Sequence, residues 1–141
     1  MARVSTYINT LGRTEEAFLF YESVFRSKIT MIQRFSDFGD SVQLPDNERD
    51  AVLHVELPIL AGHVLMGTDM LRSMGHDLRV GNNTSINLEP DTRAEADRLY
   101  GLLSDDSTEH SGGMKDMDWG AYWGSCLDRF GIRWMLNVTH Q

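Results

Sequence analysis

The side chains able to do chemistry are few and close together. His54 and Glu56 sit at alternate positions of AVLHVEL, residues 51–57. Alternate residues of a β-strand share a face, so their roots would lie about 7 Å apart, roughly two strand rises. An imidazole beside a carboxylate can hold a polar ligand or move a proton. Leu53, Val55 and Leu57 are then expected on a helix-covered face, with Val52, His54 and Glu56 opposite. Cys126 is the only cysteine and has no basic or His neighbour in sequence, so a nucleophilic role has no support. Of Trp119, Trp123 and Trp134, the last two are expected in the core and Trp119 at a pocket or interface. The run Ser104-Asp105-Asp106 reads as a solvated turn. No Gly-rich phosphate loop, Ser–His–Asp order or basic aromatic patch occurs.

The elements that must position these residues follow from periodicity. TEEAFLFYESVF carries Ala17, Phe20, Tyr21 and Val24 at helical spacing, with Thr14 as the expected N-cap and Glu15 and Glu16 in the first turn. DTRAEADRLYGLL repeats the pattern with Ala96, Leu99, Tyr100 and Leu103. Helices are therefore predicted near 14–26 and 92–103. Strands are predicted near 3–9, 28–35, 51–58 and 63–68, and again near 83–89, 107–114, 120–128 and 132–139. SDFGDSVQLPDNERD at 36–50 is rich in charge and turn formers and reads as a long loop.

The order strand, helix, three strands thus occurs twice. Glu16-Ala17 and Phe20-Tyr21 match Glu95-Ala96 and Leu99-Tyr100 at an offset of 79. AVLHVEL matches AYWGSCL at an offset of 70, and GHVLMG matches GIRWML at 69. Four coincidences in the same order indicate a duplicated βαβββ unit. The fold class is α+β: one domain over 1–141 made of two modules, about 1–69 and 83–139, joined by 70–82. On the repeat, Tyr122, Gly124 and Cys126 take the positions of Val52, His54 and Glu56.

Composition bounds the function. The chain has 141 residues, 41% hydrophobic and 24% charged, which is a globular balance. Thirteen Lys and Arg against 21 Asp and Glu leave a formal net charge of −8. Such a balance disfavours nucleic acid and anionic membrane surfaces as partners. No apolar run is long enough to span a bilayer, the N-terminus has no secretory signal pattern, and a lone cysteine suits a reducing cytoplasm.

Three stretches carry a resemblance: YINTLGRTEEAFLFY, HVELPILAGHVLMGTD and AYWGSCLDRFGIRWMLNV. With the duplicated unit, they resemble the vicinal oxygen chelate superfamily of glyoxalase I, bleomycin-resistance proteins and extradiol dioxygenases, in its PhnB-like branch. The resemblance implies curved mixed sheets around a cup, usually in a homodimer. It places His54 and Glu56 on the cup face, with Asp69 at its rim. In metal-dependent members four His or Glu ligands come from the first and fourth strands of each half. Those positions fall here on Thr6, Met66, Ser85 and Met135, or on Tyr7 if the first strand shifts by one. Thioethers suit only soft ions, and neutral hydroxyls bind weakly without carboxylate neighbours, so no metal and no cofactor are expected.

The function expected is a small-molecule-binding protein whose ligand meets His54, Glu56, Met66, Ser85, Tyr122 and Met135, with the specific activity open. The alternatives are a metal-dependent glyoxalase- or dioxygenase-type enzyme using His54, Glu56 and Asp69, and a non-catalytic dimeric interaction module.

Overall fold

The computed structural model describes residues 1–41 and 43–139. Two compact units divide the chain, Met1–Arg79 and Val80–Gln141. The first contains β1 (Thr6–Thr10), α1 (Thr14–Phe25), β2 (Met31–Arg34), β3 (Val52–Pro58) and β4 (Val64–Asp69). Its sheet runs β1-β4-β3-β2, with β1 parallel to β4 and the other pairs antiparallel. Helix α1 lies against β3 and β4. Ala17, Phe18, Tyr21, Val24 and Phe25 are buried on the helix, and Val55, Leu57 and Leu65 on the strands. The apolar stripe therefore runs through Phe18, while Phe20 is only half-buried. Gly67 makes room for it: a Cβ there would stand 2.6 Å from the Phe18 ring.

Thr14 does not cap α1. It is the first helical residue, and Arg13 at the N-cap makes no side-chain capping bond. A distant carboxylate fills that role. Asp69 accepts the Thr14 N–H at 3.0 Å, and Thr10 Oγ1 accepts the Arg13 N–H at 3.0 Å. Asp69 also accepts the Val52 N–H at 2.8 Å and the Thr10 hydroxyl at 3.3 Å. One buried carboxylate so ties together the helix start and the ends of three strands.

The second unit contains β5 (Ile86–Leu88), α2 (Arg93–Leu103), β6 (Glu109–His110), β7 (Lys115–Asp116), β8 (Ala121–Leu127) and β9 (Arg133–Thr139). Its order is β5-β9-β8-β6, with β7 also paired to β8. The strand predicted over 107–114 is thus two short ones. Gly112 and Gly113 separate them, at φ values of 87° and 127° that favour glycine. Thr92 caps α2 by accepting the Glu95 N–H at 3.1 Å. Trp134 is fully buried and donates to the buried Asp128 at 2.8 Å. No helix among the described residues is long and apolar enough to cross a membrane.

Candidate functional site

A bulge in β3 sets the faces. Gln33 pairs with His54 but Arg34 with Val52, leaving Leu53 as the extra residue. The two carbonyls at the bulge, of Val52 and Leu53, accept the Thr68 hydroxyl at 3.3 and 2.7 Å. Val52 therefore falls on the covered face and is 1% exposed, while Leu53 is only half-buried. This reverses the sequence expectation for Val52, because strict alternation does not survive an inserted residue.

Beyond the bulge the alternation holds, and His54 and Glu56 share the open face. Glu56 pairs across the sheet with Met66 on one side and Met31 on the other, and Met66 pairs with Tyr7. His54 Nε2 stands 2.8 Å from Glu56 Oε2, with 21% of each side chain exposed. The Tyr7 hydroxyl lies 3.3 Å from His54 Nδ1, and the two rings are 5.6 Å apart. The first unit thus presents a chain of phenol, imidazole and carboxylate beside two methionines.

Tyr7, rather than Thr6, faces Met66. Ile8 and Thr10 point under the helix, Tyr7 and Asn9 to the open side, and the Thr6 hydroxyl bonds His63 Nε2 at 2.9 Å. The pairing of Tyr7 with His54 escaped sequence reasoning, although parallel pairing of the first and fourth strands would have indicated it. Asp69 is not at a rim: it is 5% exposed and spent on the bonds described above. It points away from His54 and Glu56, so the three do not form one site.

In the second unit β3 and β8 share one burial pattern, so Val52 corresponds to Ala121 and the offset is 69, not 70. Trp123 and Ser125, not Gly124 and Cys126, stand where His54 and Glu56 stand. Trp123 is accordingly half-buried on the open face, 6.5 Å from the exposed Trp119 ring. Tyr122 faces α2, donating its hydroxyl to Asp97 at 2.6 Å beneath the Arg93 guanidinium. Asp97 holds the Tyr122 phenol above its usual range, with burial adding to the effect. Tyr122 is therefore not on the face of Met135. Ser85 is exposed and precedes β5, and Asn87 is the residue paired with Met135. Cys126 is buried on the α2 side, where burial first and Asp128 second push its thiol up to about 12.

A cavity of about 430 Å³ lies elsewhere in the first unit, on the covered side at Val52 and Asp69. Glu15, Glu16, Asp46 and Glu48 line it, and each is engaged: with Arg34 at 2.7 Å, Arg13 at 3.1 Å, Arg49 at 3.7 Å and the Ser73 N–H at 3.3 Å. Arg34 holds the Glu15 carboxyl below its usual range. Asp46 and Glu48 belong to the loop expected over 36–50, and acidic loop residues carry no sequence signal for a concavity.

Superfamily relatives imply a divalent metal. The corresponding donors are Tyr7 and Met66 in the first unit and Asn87 and Met135 in the second. A phenol, an amide and two thioethers do not suit such an ion. Among the described residues no three His, Cys, Asp or Glu are grouped to hold one. The residues do not fit the group.

Two βαβββ units with open mixed sheets define the glyoxalase/bleomycin-resistance fold of the vicinal oxygen chelate superfamily. Within it, the model of the 3-demethylubiquinone-9 3-methyltransferase family matches residues 3–137, and the chain belongs to that family, in its PhnB-like branch. The structure is similar to that of protein PA1353 from Pseudomonas aeruginosa, with 26% identity, all of both chains covered and a TM-score of 0.83. It is also similar to a putative 3-demethylubiquinone-9 3-methyltransferase, PhnB protein, from Bacillus cereus, with 22% identity, 98% of this chain and 100% of that one covered, and a TM-score of 0.78. A glyoxylase/bleomycin resistance protein/dioxygenase domain from Frankia sp. EAN1pec shares the fold at 13% identity, covering 100% of this chain and 94% of that one, with a TM-score of 0.67. No curated protein matches the chain.

Proposed function

We propose that this protein binds a small molecule without a metal, on the open face of the first unit. The observation that carries the reading is the His54–Glu56 contact at 2.8 Å, with both side chains one-fifth exposed beside Met66. A packed core does not need such a pair, since a buried apolar sheet face is at least as stable. Facing outward beside an adaptable thioether, it supplies polar anchorage next to apolar surface, which is how ligand sites combine specificity with burial. Nothing in this geometry selects the methyl transfer of the family's name over another reaction, so the proposal stops at binding.

The test is a small-molecule screen against wild type and His54→Ala. Compounds anchored by the pair lose about 1.5–3 kcal/mol, roughly ten- to a hundred-fold in affinity, when the imidazole is removed. Hits indifferent to His54→Ala would refute the site. A homodimer in the cytoplasm belongs to the same proposal, supported by the superfamily resemblance and the lone unreactive cysteine. A specific dimer would bury about 1,200 Å² or more, and light scattering returning the monomer mass at micromolar concentration would refute it.

A further inference from the structure

The hydrogen of the Tyr7 hydroxyl is placed by the ring beside it. Glu56 Oε2 lies 2.8 Å from His54 Nε2, and an ionised carboxylate only accepts, so Nε2 carries a hydrogen whatever the charge of the ring. The charge is therefore decided at Nδ1, the atom 3.3 Å from the Tyr7 hydroxyl. In the neutral ring Nδ1 holds a lone pair and the Tyr7 O–H donates to it, which leaves the phenol oxygen outward as an acceptor. In the charged ring Nδ1–H donates to that same oxygen, and the Tyr7 hydrogen turns outward as a donor. Tyr7 is half exposed, so either role reaches a ligand.

We infer that Tyr7 sets the hydrogen-bonding specificity of the open face and that protonation of His54 reverses it. Ligands that donate are held beside the neutral ring, and ligands that accept beside the charged one. The inference rests on the binding reading above and adds a regulation to it. The surroundings leave the reversal to this one ring. Among the described residues flanking His54, Glu56 on its own strand and Tyr7 on β1 are the titratable ones. Asn9 on β1, Met66 and Thr68 on β4, and Gln33 and Met31 on β2 do not titrate. Arg34 of β2 is paired with Glu15 at 2.7 Å. Each ligand selects one state of the ring, so binding an acceptor takes a proton from solvent and binding a donor returns one.

The intact protein without ligand is tested first. Ring ¹⁵N shifts of His54, assigned by the signals lost in His54→Gln, follow its titration. The Raman doublet of tyrosine, taken as the difference from Tyr7→Phe, reports whether this hydroxyl donates or accepts. Tyr7 should donate at the alkaline end of the His54 titration and accept at the acidic end, with Nε2 protonated throughout. A doublet that stays constant, or a neutral ring protonated at Nδ1, overturns the inference. Indole and quinoline N-oxide are then titrated as neutral probes of similar shape, the first with only a donor and the second with only an acceptor. From the acidic to the alkaline end indole should gain, and quinoline N-oxide lose, about fivefold in affinity, the equivalent of one hydrogen bond. Tyr7→Phe should abolish both changes. Affinities that move together, that keep their pH dependence in Tyr7→Phe, or that are absent for both probes overturn the specificity. Screen hits that respond to His54→Ala while the doublet stays constant leave the binding site standing and sink only the reversal.

Discussion

Asp69 Oδ2 accepts the backbone N–H of Val52 at 2.8 Å, joining the end of β4 to the start of β3. Its other oxygen accepts the Thr14 N–H and the Thr10 hydroxyl. A carboxylate suits this position because all three partners donate. Asp69→Asn would turn an NH₂ group toward at least one donor and strand it in a buried site. The expected loss is about 2–3 kcal/mol of stability, read as a lower urea midpoint at unchanged slope. An unchanged midpoint would remove Asp69 from its structural role.

Two leucines on β3 distinguish the bulged strand from an ideal one. Leu57 is fully buried, whereas Leu53 sits on the bulge and is half-buried. Leu57→Ala should cost about 2–5 kcal/mol through the cavity it leaves. Leu53→Ala should cost distinctly less, about 1 kcal/mol, since part of its surface already meets water. Thermal or urea unfolding of the pair decides it, and equal losses would mean that the strand alternates without interruption.

That bulge also marks where sequence reasoning stops. The helices were legible because their periodicity is local: 14–26 and 92–103 were expected, against Thr14–Phe25 and Arg93–Leu103. The duplicated unit was legible for the same reason, and so was the shared face of His54 and Glu56, which lie beyond the irregularity. Val52 lies on the face opposite to the expected one because of the inserted residue, and Tyr122 does so because β3 and β8 correspond at an offset of 69 rather than 70. The cap at Thr14 was misread because its acceptor lies 55 positions away in sequence. Tyr7 was noticed only as a substitute ligand, because its neighbour His54 is brought to it by the register of β1, β4 and β3.

Cys126 gives a prediction in pH. Its thiol is pushed up to about 12 in the folded protein, mainly by burial, against about 8.5 for a free cysteine. A group with a raised folded value contributes fully below its unfolded value and loses that contribution as pH rises. Stability should therefore decline from about pH 8.5 upward, and Cys126→Ser or Cys126→Ala should flatten the decline. At pH 8, about where free thiols begin to ionise, a disulfide reagent should label Cys126 only as fast as the protein opens. Rapid stoichiometric labelling of the native protein would contradict its burial.

Metal content follows from the donors at the sheet centres. A divalent ion gives up tightly held water only for ligands of comparable strength, typically imidazole, carboxylate or thiolate. Tyr7 offers a phenol engaged with His54, and Met66 is a thioether. In the second unit Asn87 is hydrogen-bonded to Asn137 and Glu89, and Met135 is again a thioether. His54 and Glu56 are two conventional donors, but they bind each other, and the next carboxylate along the strand pair, Asp69, points under α1. Protein purified without added metal should therefore hold well under one zinc, nickel, manganese or iron per chain by elemental analysis. Added metal should leave the melting temperature unchanged, because an ion that does not bind the native state cannot shift its equilibrium. One transition metal per chain that resists a chelator would overturn the metal-independent reading and turn attention to a site that these donors do not explain.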